Sequence, residues 1–448
     1  MRELLRLALP ALGVLAAEPL YLLVDTAVVG HLGATQLAGL SVGSIVLSQV
    51  GQQMAFLSFG TTARAARLHG AGRRADAVDE GVQATWVAAL AGLVLLALGQ
   101  LLADPIAGLL AGSGPTAAAA VGWLRIALFG APLVLITMAG NGWLRGVQDM
   151  RRPLWFVLAG NGISAVLCPV LVHGFGWGLN GSAIANVVAQ LISAALFVRA
   201  LRAEGVSLRP VPSQLRAQLA YGRDLALLGL AFQASWISAT AVAAHTSAAA
   251  VGAHQIVFQL WMFLAYVLDA LAVAAQALVG AALGAGDRER AQRVAWQATR
   301  CGLVFGAALS VVFAALSGVL PHVFTADPAV LAEMPKAWWF FVAVQPIGGV
   351  VFVFDGVLLG AGDAKFLRTA NACAAVLGFL PVVWASLALG WGLVGIWSAL
   401  TVFVLFRLAN NLTRLRSGRW AVLGATAVPA RRPRTAGRRA AAGAERPA

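Results

Sequence analysis

Apolar runs of about 20 residues or more recur along the whole chain, separated by short polar breaks. Each run can cross roughly 30 Å of hydrocarbon as a helix. Twelve spans are predicted, at residues 4–30, 35–62, 80–103, 118–144, 153–173, 179–200, 221–247, 253–283, 292–320, 336–361, 366–389 and 392–413. Spanning strands would instead show alternating segments of about 10 residues, a pattern this chain lacks. The first run is too long and too polar at its end for a removable signal peptide, and no small-residue cleavage site follows it, so it is expected to remain as a helix. The expected class is an all-α integral membrane protein.

Composition agrees. The chain is 60% hydrophobic and 11% charged, against roughly 45–50% and about 25% in soluble domains, and its mean hydropathy is +0.81. The formal net charge of +14 would suggest nucleic acid if it were not for where the charges fall. Arginines gather in alternate loops: Arg64, Arg67, Arg73 and Arg74; Arg145, Arg151 and Arg152; Arg199 to Arg223; Arg288, Arg290 and Arg293; then Lys365 and Arg368. The intervening loops, such as "GHLGATQ" and "HTSAAA", have none, with Lys336 the exception. This distribution places both termini in the cytoplasm and fits twelve spans. The segment from Ser417 onward, rich in Ala, Arg and Pro, is too poor in apolar residues to fold and is expected to be a disordered basic tail at the anionic inner leaflet. No folded binding module accompanies it, so a nucleic-acid partner is not expected. Cys168, Cys301 and Cys373 lie in or beside spans without CxxC or Cys/His spacing, which argues against disulfides and metal.

The sequence also matches itself at an offset of 214 residues. "TAVVGH" (Thr26–His31) falls on "TAVAAH" (Thr240–His245), Gly70–Gly72 on Gly284–Gly286, Pro132 on Pro346, Asn141–Asp149 on Asp355–Asp363, and "GWGL" at 176 on the same tetrapeptide at 390. The chain therefore divides into residues 1–208, residues 209–416 and the tail 417–448. Six spans per half make the repeats parallel, an arrangement of secondary transporters with a substrate cavity between the halves.

The same residues carry a family resemblance. "LALPALGVLAAEPLYLLVDTAVVGHLG" in the first span, "LDALAVAAQALVGAALGAGD" (268–287) and "FDGVLLGAGDAKFLR" (354–368) resemble the multidrug and toxic compound extrusion (MATE) family, in particular its DinF-like branch, over residues 1 to 415. The resemblance implies an antiporter that needs no cofactor and uses an H+ or Na+ gradient to expel small organic, often cationic and amphipathic, compounds. It implies proton-linked bending of the first helix, for which Pro10 and Asp25 have the branch's spacing. The family's fifth helix commonly carries an aspartate just before a proline. Here Cys168 stands at that place, with Asn161, Ser164 and Pro169 retained.

Four carboxylates are expected within spans: Glu18, Asp25, Asp269 and Asp355. Charges in hydrocarbon are costly and usually face a cavity or a partner. Glu18 and Asp25 are seven residues apart, nearly two helical turns, so they share one face. A carboxyl in such a place can take up a proton on one side and release it on the other, so these four are the candidate ion-coupling groups. Structural hydrogen bonding is the alternative for each. Pro10 and Pro19 are candidate gating kinks, because proline removes a donor and bends a helix. Asp355 matches Asn141 in the repeat, so that position is polar in both halves. Candidate pathway residues are Asn141, Asn161, Ser164, Cys168, Gln52, Gln259 and Tyr266, with Phe56, Trp143, Phe258, Trp261 and Phe263 as possible pocket aromatics or packing groups. Arg125 is expected to be structural, His31 and His245 to cap helix ends, and Asp149 and Asp363 to cap helices in cytoplasmic turns.

The expected function is secondary antiport of a small molecule in a bacterial plasma membrane, which the excess of arginine over lysine favours, by a chain acting as a monomer. The alternative is a lipid-linked precursor flippase of the same wider superfamily, for which a basic cavity would be expected. No catalytic constellation or phosphate loop supports an enzyme.

Overall fold

The computed structural model describes residues 2–425. The tail 426–448 and the side chains of Glu18 and Pro19 lie outside the described residues. The chain forms α1 (Arg2–Gly30), α2 (Ala34–Met54), α3 (Phe56–Gly70), α4 (Arg74–Ala111), α5 (Pro115–Ala127), α6 (Ala131–Gly146), α7 (Arg151–Pro169) and α8 (Gly178–Ala203). It continues with α9 (Pro212–Thr246), α10 (Ala248–Gly284), α11 (Arg288–Ala315), α12 (Leu320–Phe324), α13 (Pro328–Gly360), α14 (Ala364–Cys373), α15 (Leu380–Ala388) and α16 (Gly392–Arg416). A 3-10 turn at Leu128–Gly130 joins α5 to α6, and a π turn at Ala374–Phe379 joins α14 to α15. Another π turn, Val170–Gly174, prolongs α7 beyond Pro169.

This is an all-α multi-spanning membrane fold, as expected where lipid leaves backbone groups no partner outside the helix. Ten helical stretches among the described residues are long and apolar enough to cross a membrane. The other two predicted spans also fold as helix but differ in detail. Residues 35–62 are split between α2 and α3 by a turn at Ala55. The predicted span 221–247 belongs to the 35-residue α9, whose first turns carry the polar run "PSQLRAQ".

Small residues set the closest helix crossings. A Cβ at Gly142 of α6 would stand 2.5 Å from the Ser58 carbonyl oxygen of α3, and one at Gly356 of α13 would stand 2.2 Å from that of Ala272 in α10. The two contacts are related by the 214-residue offset, residue for residue. Close backbone approach of this kind is how membrane helices associate when lipid offers no hydrophobic contrast. Between repeats, α3 meets α10. A Cβ at Gly70 would lie 1.9 Å from the Ala281 carbonyl oxygen, and one at Gly284 would lie 1.9 Å from that of Arg67. Gln276 Nε2 donates to the Phe59 carbonyl across the same seam at 2.7 Å. Leu4, Leu7, Ala8 and Ala11 of α1 share a buried core with Leu271, Ala275 and Leu278 of α10. The two repeats are therefore closed on each other at the end that carries the arginine-rich loops.

Residues 417–425 depart from the expected disorder. Trp420 is 3% exposed and its indole donates to the Leu415 carbonyl at 3.0 Å, while Gly424 N donates to the Leu283 carbonyl at 3.0 Å. The segment folds because Trp420 and Ala421 bury apolar surface and its main chain finds partners on the helix ends.

Candidate functional site

Asp25 sits in the last two turns of α1 and is 1% exposed. Its Oδ1 accepts from the Ser182 hydroxyl of α8 at 2.7 Å and from the Cys168 thiol of α7 at 3.2 Å. Ser182 in turn accepts from the Trp123 indole N–H at 3.2 Å. Because a hydroxyl has a single proton, Trp123 orients Ser182 toward the carboxylate. One turn earlier in α1, the Tyr21 hydroxyl lies beside Ser164 and Asn186 without a fully formed hydrogen bond. Sequence reasoning found Asp25, Ser164 and Cys168 but missed Ser182, Trp123 and Tyr21. Those three are ordinary residues whose role appears only when α5, α7 and α8 converge on α1.

A second, partly buried polar group lies among α6, α10, α13 and α16. Asp355 accepts from Arg407 through Oδ2 and from Asn411 Nδ2 through Oδ1 at 2.8 Å. Arg407 also lies over the rings of Phe232 and Phe403, 5.0 and 5.4 Å from their centroids. Asp269 lies within electrostatic reach of both Arg145 and Asp355, and Arg145 donates to Ser58 Oγ at 3.3 Å. One expectation is corrected: Arg145 is not a loop charge, because it sits in the last turn of α6 and is 5% exposed. Arg407, which the loop-charge pattern did not include, lies well inside α16 at 6% exposure. The Arg407/Asn411 pair was readable as two polar groups one helical turn apart in "FRLANN".

The structure brings Asp269 and Asp355 together but does not bring Asp25 to them: the side chains acting on Asp25 are Ser182 and Cys168. Glu18 and Pro19 lie in α1, their side chains outside the described residues. Pro10 is half-buried in a helix that runs unbroken past it. Asn141 is buried with an unpartnered Oδ1, Asn161 is half-buried, and Gln52, Gln259 and Tyr266 are exposed. Trp143 and Trp261 are core residues, 1% and 4% exposed, so packing is their role. Arg125 pairs with Asp104 at 2.6 Å. His31 and His245 each place Nδ1 on the carbonyl four residues back, at 2.7 and 2.8 Å. Asp149 caps α7 through the N–H groups of Arg151 and Arg152. Asp363 instead pairs with Arg414 at 2.7 Å.

The two polar groups thus differ in charge balance: among the described residues Asp25 is acted on by neutral donors, whereas Asp355 and Asp269 lie beside Arg407 and Arg145. The sequence model of the MatE family matches residues 10–170 and 226–384. The chain belongs to the MatE family. The chloroplastic protein DETOXIFICATION 44 of Arabidopsis thaliana is 31% identical to this MATE protein over 445 residues, covering 94% of this chain and 84% of the relative. DNA damage-inducible protein F of Escherichia coli (strain K12) is 30% identical over 417 residues, covering 91% and 90%. A MATE crystal structure described as being in the bent conformation superposes with a TM-score of 0.86 at 19% identity, covering 94% of this chain and 95% of the other. The protein is thus a MATE transporter of the DinF-like branch, a secondary active antiporter of small organic compounds and not an enzyme.

Proposed function

We propose that this MATE protein exports small, cationic and amphipathic organic compounds in exchange for protons, with Asp25 as the proton site. The observation that carries the reading is the setting of Asp25: a buried carboxyl held by neutral donors, Ser182 and Cys168, in α1. An unpaired buried charge is expensive, so protonation and release at this position change the energy of the surrounding helices. Sodium coupling would ask for free carboxylate oxygens at Asp355, and both are already taken, by Arg407 and Asn411. In this reading Asp269 and Asp355 shape the cavity as ion-pair partners, Glu18 is a second acid on the Asp25 face, and Pro10 and Pro19 let α1 bend. Among the described residues Asp355 and Asp269 face Arg407 and Arg145, whereas Asp25 is acted on only by neutral donors, so the unbalanced group is acidic, which favours a cation over the diphosphate of a flippase substrate. A relative 24% identical, from Thermotoga maritima, is described as a probable multidrug resistance protein, which supports drug-like substrates.

The architecture that goes with this reading is twelve transmembrane helices in two six-helix bundles, residues 1–208 and 209–416, around a central cavity. α2 and α3 together form one span and α9 another. The chain works as a monomer in a bacterial plasma membrane with both termini cytoplasmic. The test is efflux of a fluorescent organic cation from proteoliposomes under an imposed pH gradient and, separately, a sodium gradient. Export driven by the pH gradient and lost in Asp25→Asn supports the reading; export driven only by sodium, with Asp25→Asn unaffected, refutes it.

A further inference from the structure

Arg67 is repeat-equivalent to Ala281 and so has no charged counterpart in the second half. It lies in the last turn of α3, 2% exposed, at the seam where α3 and α10 touch. Its guanidinium donates to three main-chain carbonyls: Ala361 at the end of α13 at 2.6 Å, and Val422 and Gly424 of the C-terminal segment, each at 3.0 Å. That segment is tied to the second repeat at two further points. Gly424 N donates to the Leu283 carbonyl of α10 at 3.0 Å, and Arg288 of α11 donates to the Gly418 carbonyl at 2.8 Å. A side chain of the first repeat is thus enclosed by the main chain of the second and by a strap that belongs to neither helix array.

We propose that Arg67 is a positioning residue of the cytoplasmic gate and that residues 417–425 form a strap holding that gate shut. Opening toward the cytoplasm requires α3 to leave α10. The guanidinium must then give up carbonyl acceptors on both sides of the seam while the strap lifts from Leu283. Guanidinium geometry matters here: its five donors in a fixed fork can serve several carbonyls at once, whereas an ammonium acts as a single point. The strap therefore adds to the stability of the cytoplasm-closed state without touching substrate, and its strength sets how often the cavity faces inward. Apparent affinity for a cytoplasmic substrate scales with the population of the inward-open state, so a weaker strap gives tighter apparent binding.

This inference rests on the transport reading, and the experiment separates the two. Full-length protein in proteoliposomes is compared as wild type, Arg67→Lys and Gly424→Pro, the last removing the N–H that reaches Leu283 and the φ of +109° that the strap uses. Each is also made with Ala281→Cys, and site-specific maleimide labelling at that position is read by mass spectrometry. Losing one such hydrogen bond is expected to raise labelling about five-fold and to lower KM for cytoplasmic-side substrate by a similar factor without raising kcat in proportion. A merely structural role would reduce the amount of folded protein and leave KM and the labelling rate of the remainder unchanged. Unchanged labelling and KM in both variants overturn the inference. If wild type moves no cation at all, the transport reading falls, and the labelling rates still decide whether Arg67 and the strap hold the gate.

Discussion

Gly70 and Gly284 exchange places across the seam between the repeats: each presents its bare Cα to a carbonyl oxygen of the opposite helix, and a Cβ on either would come within 1.9 Å of that oxygen. Such a contact with backbone cannot be relieved by a rotamer change. Gly70→Ala and Gly284→Ala should therefore each lower the melting temperature in detergent and reduce transport several-fold. Gly108→Ala, inside α4 with open space around it, should be neutral or stabilising, since alanine is favoured over glycine in a helix by about 0.5–1 kcal/mol. Equal behaviour of all three in thermal melts would refute the close crossing.

At the Asp25 site the hydroxyl contact is shorter than the thiol contact, and a thiol is the weaker donor. Ser182→Ala should impair pH-driven transport more than Cys168→Ala, by about ten-fold if a charge-assisted bond of about 1.5–3 kcal/mol is lost. Trp123→Phe should reproduce a part of the Ser182→Ala defect, because it frees Ser182 to turn away. Initial rates at a fixed pH gradient in reconstituted vesicles decide the ranking.

Removing Arg407 would strand Asp355. Breaking a fully buried ion pair costs about 3–5 kcal/mol; here the carboxylate is 20% exposed and keeps Asn411 as a donor, so Arg407→Ala should lower the melting temperature clearly but by less than that full cost. Asp355→Asn in the same chain should restore much of the loss, since no unpaired charge remains. The double-mutant comparison of melting temperatures tests this, and additive losses would mean that the two side chains do not act as a pair.

Gln148 has a φ of +63°, the sole non-glycine among the described residues with a positive value, and its repeat equivalent is Gly362 at +74°. The chain leaves α6 by the same left-handed turn that ends α13, and a side chain there costs about 1–2 kcal/mol. Gln148→Gly should accordingly raise the melting temperature modestly while leaving transport rates alone.

Much of this fold was legible in the sequence, because the hydrophobic runs and the 214-residue repeat are properties of the chain itself. The glycine contacts at 142 and 356 fall on equivalent positions of that repeat, though the repeat by itself did not say which residues would touch. Asp25 was legible as well, since a carboxylate within an apolar run stands out. The partners were not. Ser182 and Trp123 are unremarkable in α8 and α5 and matter only because those helices meet α1. Arg145 read as one more loop arginine because it lies within a turn of the end of α6, where snorkelling into water and pointing inward look alike in sequence. The break at Ala55 was not legible, because no proline marks it and the glutamines before it, Gln49, Gln52 and Gln53, read equally well as neutral polar surface inside a continuous span.

Arg67 reaches its strap through the Val422 and Gly424 carbonyl oxygens. Every amino acid supplies a carbonyl, so the grip itself leaves position 422 open to any residue whose main chain follows the same path, while Trp420 is held by its burial and Gly424 by its φ of +109°. The fastening is thus written in one arginine, one buried indole and one glycine, and not in a run of matching side chains.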